Sequence, residues 1–349
     1  MEYASIIAHF DIKENITECR PYGAGHINST FLLTADNGKK YILQAINTDV
    51  FRDPEGVMQN LSIVSAHIGG TETDERRYLR AIPTLDGGYL CRAEGKAWRV
   101  LNFIEDSVCL EAADSEADVY ECGYGFGDFQ RKLASLDASV LCETIPSFHD
   151  TPKRYADLLK AAEADVCGRL ADVSAEMEFI KKREALICVL QNAYAEGKLP
   201  LRVTHNDTKI NNILLDKGTR KALCVIDLDT VMPGFSVTDF GDGIRTCAAT
   251  AAEDERDLSR VHFDIALYRA FARGFMDGCG DILTDTERAL LAEGAMLMTL
   301  ECGMRFLCDY LSGDTYFRTA YAEHNLVRCR TQLKMVAEME ESLAQMRAL

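Results

Sequence analysis

No stretch of about 18 apolar residues occurs anywhere in the chain, so no segment of it reads as a transmembrane helix. The start, Met1-Glu-Tyr-Ala-Ser-Ile-Ile-Ala-His-Phe10, lacks the basic segment and long apolar run of a secretory signal. Basic residues are scarce: 38 Lys and Arg stand against 55 Asp and Glu, a formal charge of -17. A surface of that sign repels the phosphates of nucleic acid and of anionic membranes, so neither is expected as a partner. Cysteines number 13, an odd count with no Cys-x-x-Cys pair, which argues against a zinc site and against a disulfide framework. Repeats, low-complexity tracts and long linkers are also missing. These absences leave a cytoplasmic, ordinary globular protein, in which any anionic substrate needs a local basic group or a metal ion.

What is present fills two lobes, since 349 residues at 47% hydrophobic support a substantial core. Residues 1–106 alternate apolar runs with turns. The turn Asp36-Asn-Gly38 joins Phe31-Leu-Leu33 to Tyr41-Ile-Leu43 as a hairpin. Helical spacing follows over 53–69, through Val57, Leu61, Val64 and Ile68. The last run, Ala97-Trp-Arg-Val-Leu-Asn102-Phe-Ile104, is a core strand whose end is a candidate hinge. From 107 to 349 helices dominate: 124–136, one from Asp150-Thr-Pro152, 177–195, 258–275, 285–310 and 323–343.

The chemistry concentrates in residues 201–229. An apolar strand delivers His205-Asn-Asp207 onto a loop, Asn212 comes five residues after Asp207, and Ile213-Leu-Leu215 follows. That is the spacing of a kinase catalytic loop, in which the Asp orients the attacking hydroxyl and the Asn holds magnesium. A second apolar strand, Ala222-Leu-Cys-Val-Ile226, ends in Asp227, placed to be the other metal ligand. Magnesium is a hard ion that takes oxygen donors, which Asp and Asn supply. Asp239-Phe-Gly241 spells the metal-binding triplet of protein kinases but has no apolar strand before it, so Asp227 is the better ligand. Asp239 is then a helix N-cap or a buried brace for the loop, and Asp242 and Arg245 are candidates to line the acceptor pocket.

Upstream, Gly23 and Gly25 precede the hairpin, where bare backbone could approach a phosphate. The lysine that a protein kinase carries on the next strand is missing, and Gln44 stands in its place. Near the C-terminus, Glu301, Arg305 and Asp309 are spaced four apart, the pattern of an intrahelical salt-bridge ladder or of one wall of a sugar site.

The order of glycine loop, His-Asn-Asp with Asn212, and Ile226-Asp-Leu-Asp229 resembles the aminoglycoside phosphotransferase and choline kinase-like superfamily of small-molecule kinases. Longer strings narrow the likeness to the branch of N-acetylhexosamine 1-kinases: Tyr-Gly-Ala-Gly-His-Ile-Asn-Ser-Thr, Ile-Asp-Leu-Asp-Thr-Val-Met-Pro-Gly, Glu-Cys-Gly-Met-Arg-Phe-Leu and Glu-His-Asn-Leu-Val-Arg. The resemblance implies an α+β, bilobal, protein-kinase-like fold, with a small antiparallel β-sheet N-lobe for nucleotide (1–106) and a larger, mainly helical C-lobe for catalysis and acceptor (107–349). It implies ATP and Mg2+ as cofactors and a sugar as acceptor, phosphorylated at its anomeric hydroxyl. By position, Asp207 is catalytic and Asn212 and Asp227 hold the metal. Gly23, Gly25, Asn28, Gln44, Asn102 and Ile104 lie at the nucleotide, and His26, Asp229, Arg305 and Tyr316 at the sugar. Other hydroxyl acceptors of the superfamily, such as choline, homoserine or an aminoglycoside, are the alternative, and a non-catalytic nucleotide binder is a further one.

Overall fold

The computed structural model describes residues 3–23, 27–113 and 115–348. Packing divides them into two units, neither continuous in sequence. The first comprises 1–109, 135–146 and 213–233; the second comprises 110–134, 147–212 and 234–349. The single cut expected between 106 and 107 concerns nucleotide and acceptor roles, and remains a proposal. The packing units are interleaved, with 135–146 and 213–233 returning to the first.

In the first unit we number the strands β1 (Ile16–Pro21), β2 (Ser29–Ala35), β3 (Lys40–Ile46), β4 (Ala81–Ile82), β5 (Cys91–Ala93), β6 (Lys96–Asn102), β7 (Ser107–Cys109), β8 (Ile213–Asp216) and β9 (Ala222–Val225). An antiparallel sheet runs β1-β2-β3-β6-β4, with β5 also on β6. Gly38 makes the β2–β3 turn at φ +85, a backbone state that favours glycine. Strand alternation separates the two faces. One buries Leu33, Leu43, Trp98 and Val100 against Ile6 and Phe10; the other carries the paired row Thr30, Gln44 and Arg99. A smaller sheet has the order β9-β8-β7.

Helices of eight or more residues are α1 (Pro54–Gly69), α2 (Glu116–Lys132), α3 (Thr151–Ala164), α4 (Ser174–Lys181), α5 (Ser236–Cys247), α6 (Ile265–Cys279), α7 (Leu291–Leu311) and α8 (His324–Glu341). All but α1 belong to the second unit. Asp53 and Asp150 cap α1 and α3, each accepting a backbone N–H of the first turn, with proline just inside. Helix α2 begins at Glu116, eight residues before the apolar spacing indicated, because Ser115 caps it through the Asp118 N–H. The run expected over 177–195 is broken. Arg183 turns its own N–H to the Ile180 carbonyl while its Nη1 takes the Phe179 carbonyl at 2.6 Å, the acceptor that continuing the helix would need. Helices α2 and α6 approach backbone to backbone: a Cβ at Gly123 would lie 2.2 Å from the Phe271 carbonyl oxygen, and one at Gly274 2.0 Å from that of Tyr120. A core of Leu158, Ile180, Leu300, Leu307, Leu326 and Val336 ties α3, α4, α7 and α8 together.

Candidate active site

In the second unit the strand Arg202–Thr204 leads into the loop of Asp207, and the loop is held mainly through its backbone. Asn206 adopts φ +65, uncommon for a residue with a side chain. It is fixed there from several sides. Asp239, in the first turn of α5, accepts the N–H of His205 at 2.8 Å and of Asn206 at 2.7 Å, and the amide of Gln130 at 2.6 Å. Asp242, one helical turn on, accepts the Thr208 N–H at 2.8 Å. Burial pushes the Asp239 carboxyl up, against the pull of His205 and the loop N–H groups. Burial would also raise Asp242, but Arg245, Lys209 and His149 outweigh it and hold that carboxyl below its usual range. The Asp239-Phe-Gly241 triplet is thus a buried brace inside a helix, with Phe235 at the N-cap position. Arg245, buried as well, donates to Asp242 and Glu253.

Asp207 itself is only partly covered. Asn212 Nδ2 donates to the Asp207 carbonyl at 2.8 Å and to Oδ2 at 3.0 Å, while Lys209 Nζ lies 2.7 Å from Oδ1. Burial pulls the Lys209 ammonium down, but the carboxylates of Asp207 and Asp242 outweigh it and keep its pKa raised. With its nitrogen committed to Asp207, the Asn212 side chain has its oxygen to offer a cation. Beneath the loop, His149 bridges two acceptors: Nδ1 stands 2.7 Å from Glu301 Oε1 and Nε2 3.0 Å from the Asn206 carbonyl. Burial disfavours its charge, yet Glu301 and that carbonyl prevail and raise its pKa, so both nitrogens can donate. Thr151 completes the site by donating to Glu301 Oε2 at 2.6 Å.

In the first unit Asp227 follows β9, exposed at the start of a turn that is otherwise buried, in the left-handed conformation at φ 59. Two residues later Asp229 is buried, with Oδ1 on Arg99 and Oδ2 accepting from Asn28 at 2.7 Å. Among the described residues no three His, Cys, Asp or Glu side chains converge as a metal cluster. The amide oxygen of Asn212 and the carboxylate of Asp227, each taken by itself, are donors of the oxygen type that magnesium accepts.

Of the residues expected at the nucleotide, Gly23 has φ +78 and open space at its Cβ position. Gly25, like His26 expected at the sugar, lies outside the described residues. Asn28 and Gln44 spend their amides within the protein, on Asp229, Asn47, Thr30 and Arg99. The Asn102 side chain is tied to the backbone of Arg80 and Tyr78, and the Ile104 carbonyl accepts from Ser107 at 2.7 Å. Asp229, expected at the sugar, has both carboxylate oxygens engaged internally.

The salt-bridge ladder on α7 does not form among the described residues. Glu301 turns to His149 and Thr151, and Asp309 accepts the backbone N–H groups of Thr315, Tyr316 and Phe317. Arg305 instead lies over the Phe148 and Phe317 rings, 5.2 and 5.7 Å from their centroids. Tyr316, 63% exposed, stands edge-on to Phe317.

The sequence signature of the APH phosphotransferase enzyme family spans residues 18–275, most of the chain and all of both acidic turns. The chain belongs to that family. Solved structures agree on the fold, which is kinase-like. An aminoglycoside phosphotransferase from Alicyclobacillus acidocaldarius is 14% identical over 98% of this chain and 96% of its own, with a TM-score of 0.64. A microcompartment-associated aminopropanol kinase gives 15% identity, 98% and 97% coverage and a TM-score of 0.61. An amicoumacin kinase, solved with AMP-PNP, Ca2+ and its antibiotic, gives 13%, 98% and 92%, and 0.61.

Three residues of this phosphotransferase carry contacts that motif spacing does not mark. Lys209 is visible in principle, lying two residues from Asp207. His149 and Arg99 are not, because the residues they serve lie far along the chain: Glu301 and Asp229. Among the described residues, no helix is long and apolar enough to cross a membrane.

Proposed function

We propose that this phosphotransferase moves the γ-phosphoryl group of ATP to the anomeric hydroxyl of an N-acetylhexosamine, giving the sugar 1-phosphate. The observation that carries the reading is the Asp207 carboxylate, with Oδ2 on the Asn212 amide and Oδ1 on the Lys209 ammonium. A carboxylate held at both oxygens is aimed, and positioning is most of what phosphoryl transfer asks of a protein. Asp207 accepts the hydrogen bond of the sugar hydroxyl and takes its proton as the oxygen–phosphorus bond forms. Lys209 meets negative charge beside that oxygen. Asn212 Oδ1 and Asp227 would hold Mg2+, which when bound would neutralise charge shared between the transferred and leaving phosphates. The backbone at Gly23 and the strand end at Asn102–Ile104 are the proposed nucleotide contacts.

Support for a sugar acceptor comes from the long strings shared with the N-acetylhexosamine 1-kinase branch. It also comes from the chemistry of Arg305 and Tyr316, a guanidinium and an exposed phenol beside aromatic faces. Both contacts are proposed as hydrogen-bond partners for sugar hydroxyls or the acetamido carbonyl. The test is ATP consumption over a panel of N-acetylglucosamine, N-acetylgalactosamine, choline, homoserine and an aminoglycoside, with the phosphorylated position of the product read by NMR. We expect turnover on one or both N-acetylhexosamines, with phosphate on C1. Silence on both, with turnover elsewhere in the panel, would overturn the acceptor assignment while leaving the kinase.

A further inference from the structure

Kinases of this fold class commonly place a lysine on the third strand and pair it with a glutamate of the following helix. In this chain that pair is not formed. The strand's lysine, Lys40, stands at its first position on Glu105, while Gln44 faces Arg99 further along, and α1 has one acid, Glu55, which is exposed and paired with Arg92 at the surface. A buried ion pair exists one element further on each side. Its cation is Arg99 of β6, directly opposite Gln44 in the sheet, and its anion is Asp229, on the turn after Asp227. The two side chains are 1% and 2% exposed.

This pair is the centre of a closed circuit of side chains. Thr30 Oγ1 accepts from Gln44 Nε2 at 3.0 Å, and Gln44 Oε1 accepts from Arg99 Nε at 2.9 Å. Arg99 Nη1 donates to Asp229 Oδ1, and Asp229 Oδ2 accepts from Asn28 Nδ2 at 2.7 Å. Asn28 is two residues before Thr30, so the circuit closes through β2; its Oδ1 accepts the Asn47 N–H at 2.9 Å, which fixes the amide's orientation. The turn is held on its other side as well. Thr144 Oγ1 donates to the Asp229 carbonyl at 3.3 Å, and Asn60 Nδ2 to the Val231 carbonyl at 2.9 Å. Through these contacts Asp229 is fixed by Arg99 of β6, itself oriented by Gln44 of β3, and by Asn28 just before β2, and Asp227 projects from the same turn in a left-handed backbone state that an untethered chain would seldom keep.

We propose that Arg99 is a positioning residue for the metal ligand Asp227, acting through Asp229, and that the circuit with Gln44, Thr30 and Asn28 replaces the missing lysine–glutamate pair. Gln44 is then a working part: its amide donates on one side and accepts on the other, bridging a neutral threonine to a cation, which a lysine could not do because an ammonium accepts nothing. The inference rests on the reading of Asp227 as a metal ligand in an ATP-dependent transfer.

The test compares wild type with Arg99→Met, Arg99→Lys and Gln44→Met. Mn2+ binding to the protein with AMP-PNP is read by EPR, AMP-PNP binding without metal by calorimetry, and the Mg2+ concentration for half-maximal transfer by assay. Loss of a group that orients a metal ligand typically weakens the metal by about 10-fold or more. For Arg99→Met we expect a shift of that size in Mn2+ affinity and in Mg2+ requirement, with metal-free AMP-PNP affinity unchanged. Arg99→Lys, which keeps a donor for Asp229, recovers part of it. Should Arg99→Met fail to fold, Gln44→Met, which keeps the ion pair but frees the guanidinium to swing, gives the same shift at smaller size. Wild-type metal affinity in a folded Arg99→Met or in Gln44→Met overturns the proposal. So does an equal loss of metal-free AMP-PNP affinity, which would mean that Arg99 touches phosphate directly. If wild type binds AMP-PNP with no response to Mn2+, the metal assignment of Asp227 fails first and the positioning role falls with it.

Discussion

The two acidic turns of this phosphotransferase are fixed by opposite means. The Asp207 loop, in the second unit, is held by buried carboxylates that accept backbone N–H groups: Asp239 takes two and Asp242 one. The Asp227 turn, in the first, has its buried carboxylate held by side chains, Arg99 and Asn28 on Asp229, with Thr144 and Asn60 donating to carbonyls beside it. A backbone N–H is present in every residue but proline, so the first device sets the path of the chain without reading the side chains of the residues it holds. The second depends on particular side chains and fixes one carboxylate. The Asp207 loop is therefore built for shape, and the Asp227 turn for charge.

Substitutions separate the two designs. The largest effect expected is from Asp227→Ala, which should abolish metal-dependent transfer with a modest fall in melting temperature, since the side chain is exposed but alanine is disfavoured at a left-handed φ. If Asp239→Ala abolished metal binding instead, with Asp227→Ala active, the metal would belong to Asp239 and not to Asp227. Next, Asp207→Asn should lower turnover by roughly two or more orders of magnitude with the fold intact, and near-normal turnover would remove Asp207 from the chemistry. Asp239→Ala differs in kind. It orphans two backbone donors and the Gln130 amide in a buried place, so we expect a loss of about 3–5 kcal/mol in denaturant unfolding. A loss under about 1 kcal/mol would mean that the carboxylate does not hold the loop.

The smallest effect is a pH dependence. The folded pKa of His149 is raised above its ordinary value of about 6.5. Its contribution to stability is therefore fully present below that value and is lost as pH rises through the folded pKa. The stability gap between wild type and His149→Gln should be constant in mild acid, until the Glu301 carboxylate begins to protonate, and should narrow as pH rises above neutral. A gap that widened with pH would show that His149 is neutral in the folded protein.

Several elements are legible in the amino-acid sequence because their signals are local. Asp36-Asn-Gly38 makes its hairpin, Asp53 and Asp150 with their prolines start α1 and α3, and the five-residue spacing of Asp207 and Asn212 brings the two side chains together on one loop. What stays hidden depends on partners far apart in sequence. Arg99 meets Asp229 and His149 meets Glu301 through the fold alone, and neither an arginine in an apolar strand nor a histidine in a polar loop announces its partner. The α7 ladder fails for the same reason: helical spacing puts Glu301 near Arg305, but a histidine from another segment binds the carboxylate instead. The helix expected over 177–195 breaks because Arg183 competes with its own backbone for a carbonyl, a contest that periodicity does not register.

The glycines between α2 and α6 have a reach beyond packing. With Gly123 against the Phe271 carbonyl and Gly274 against that of Tyr120, the two helices key together like a toothed joint that neither slides nor rolls. Gln130 sits on the last turns of α2, and its amide is the side-chain donor that meets Asp239 beneath the Asp207 loop. The joint therefore sets the height at which that amide is delivered. A single methyl group at Gly274 would part the helices, lower Gln130 away from Asp239, and register as slack at Asp207, though nothing in the site itself had been changed.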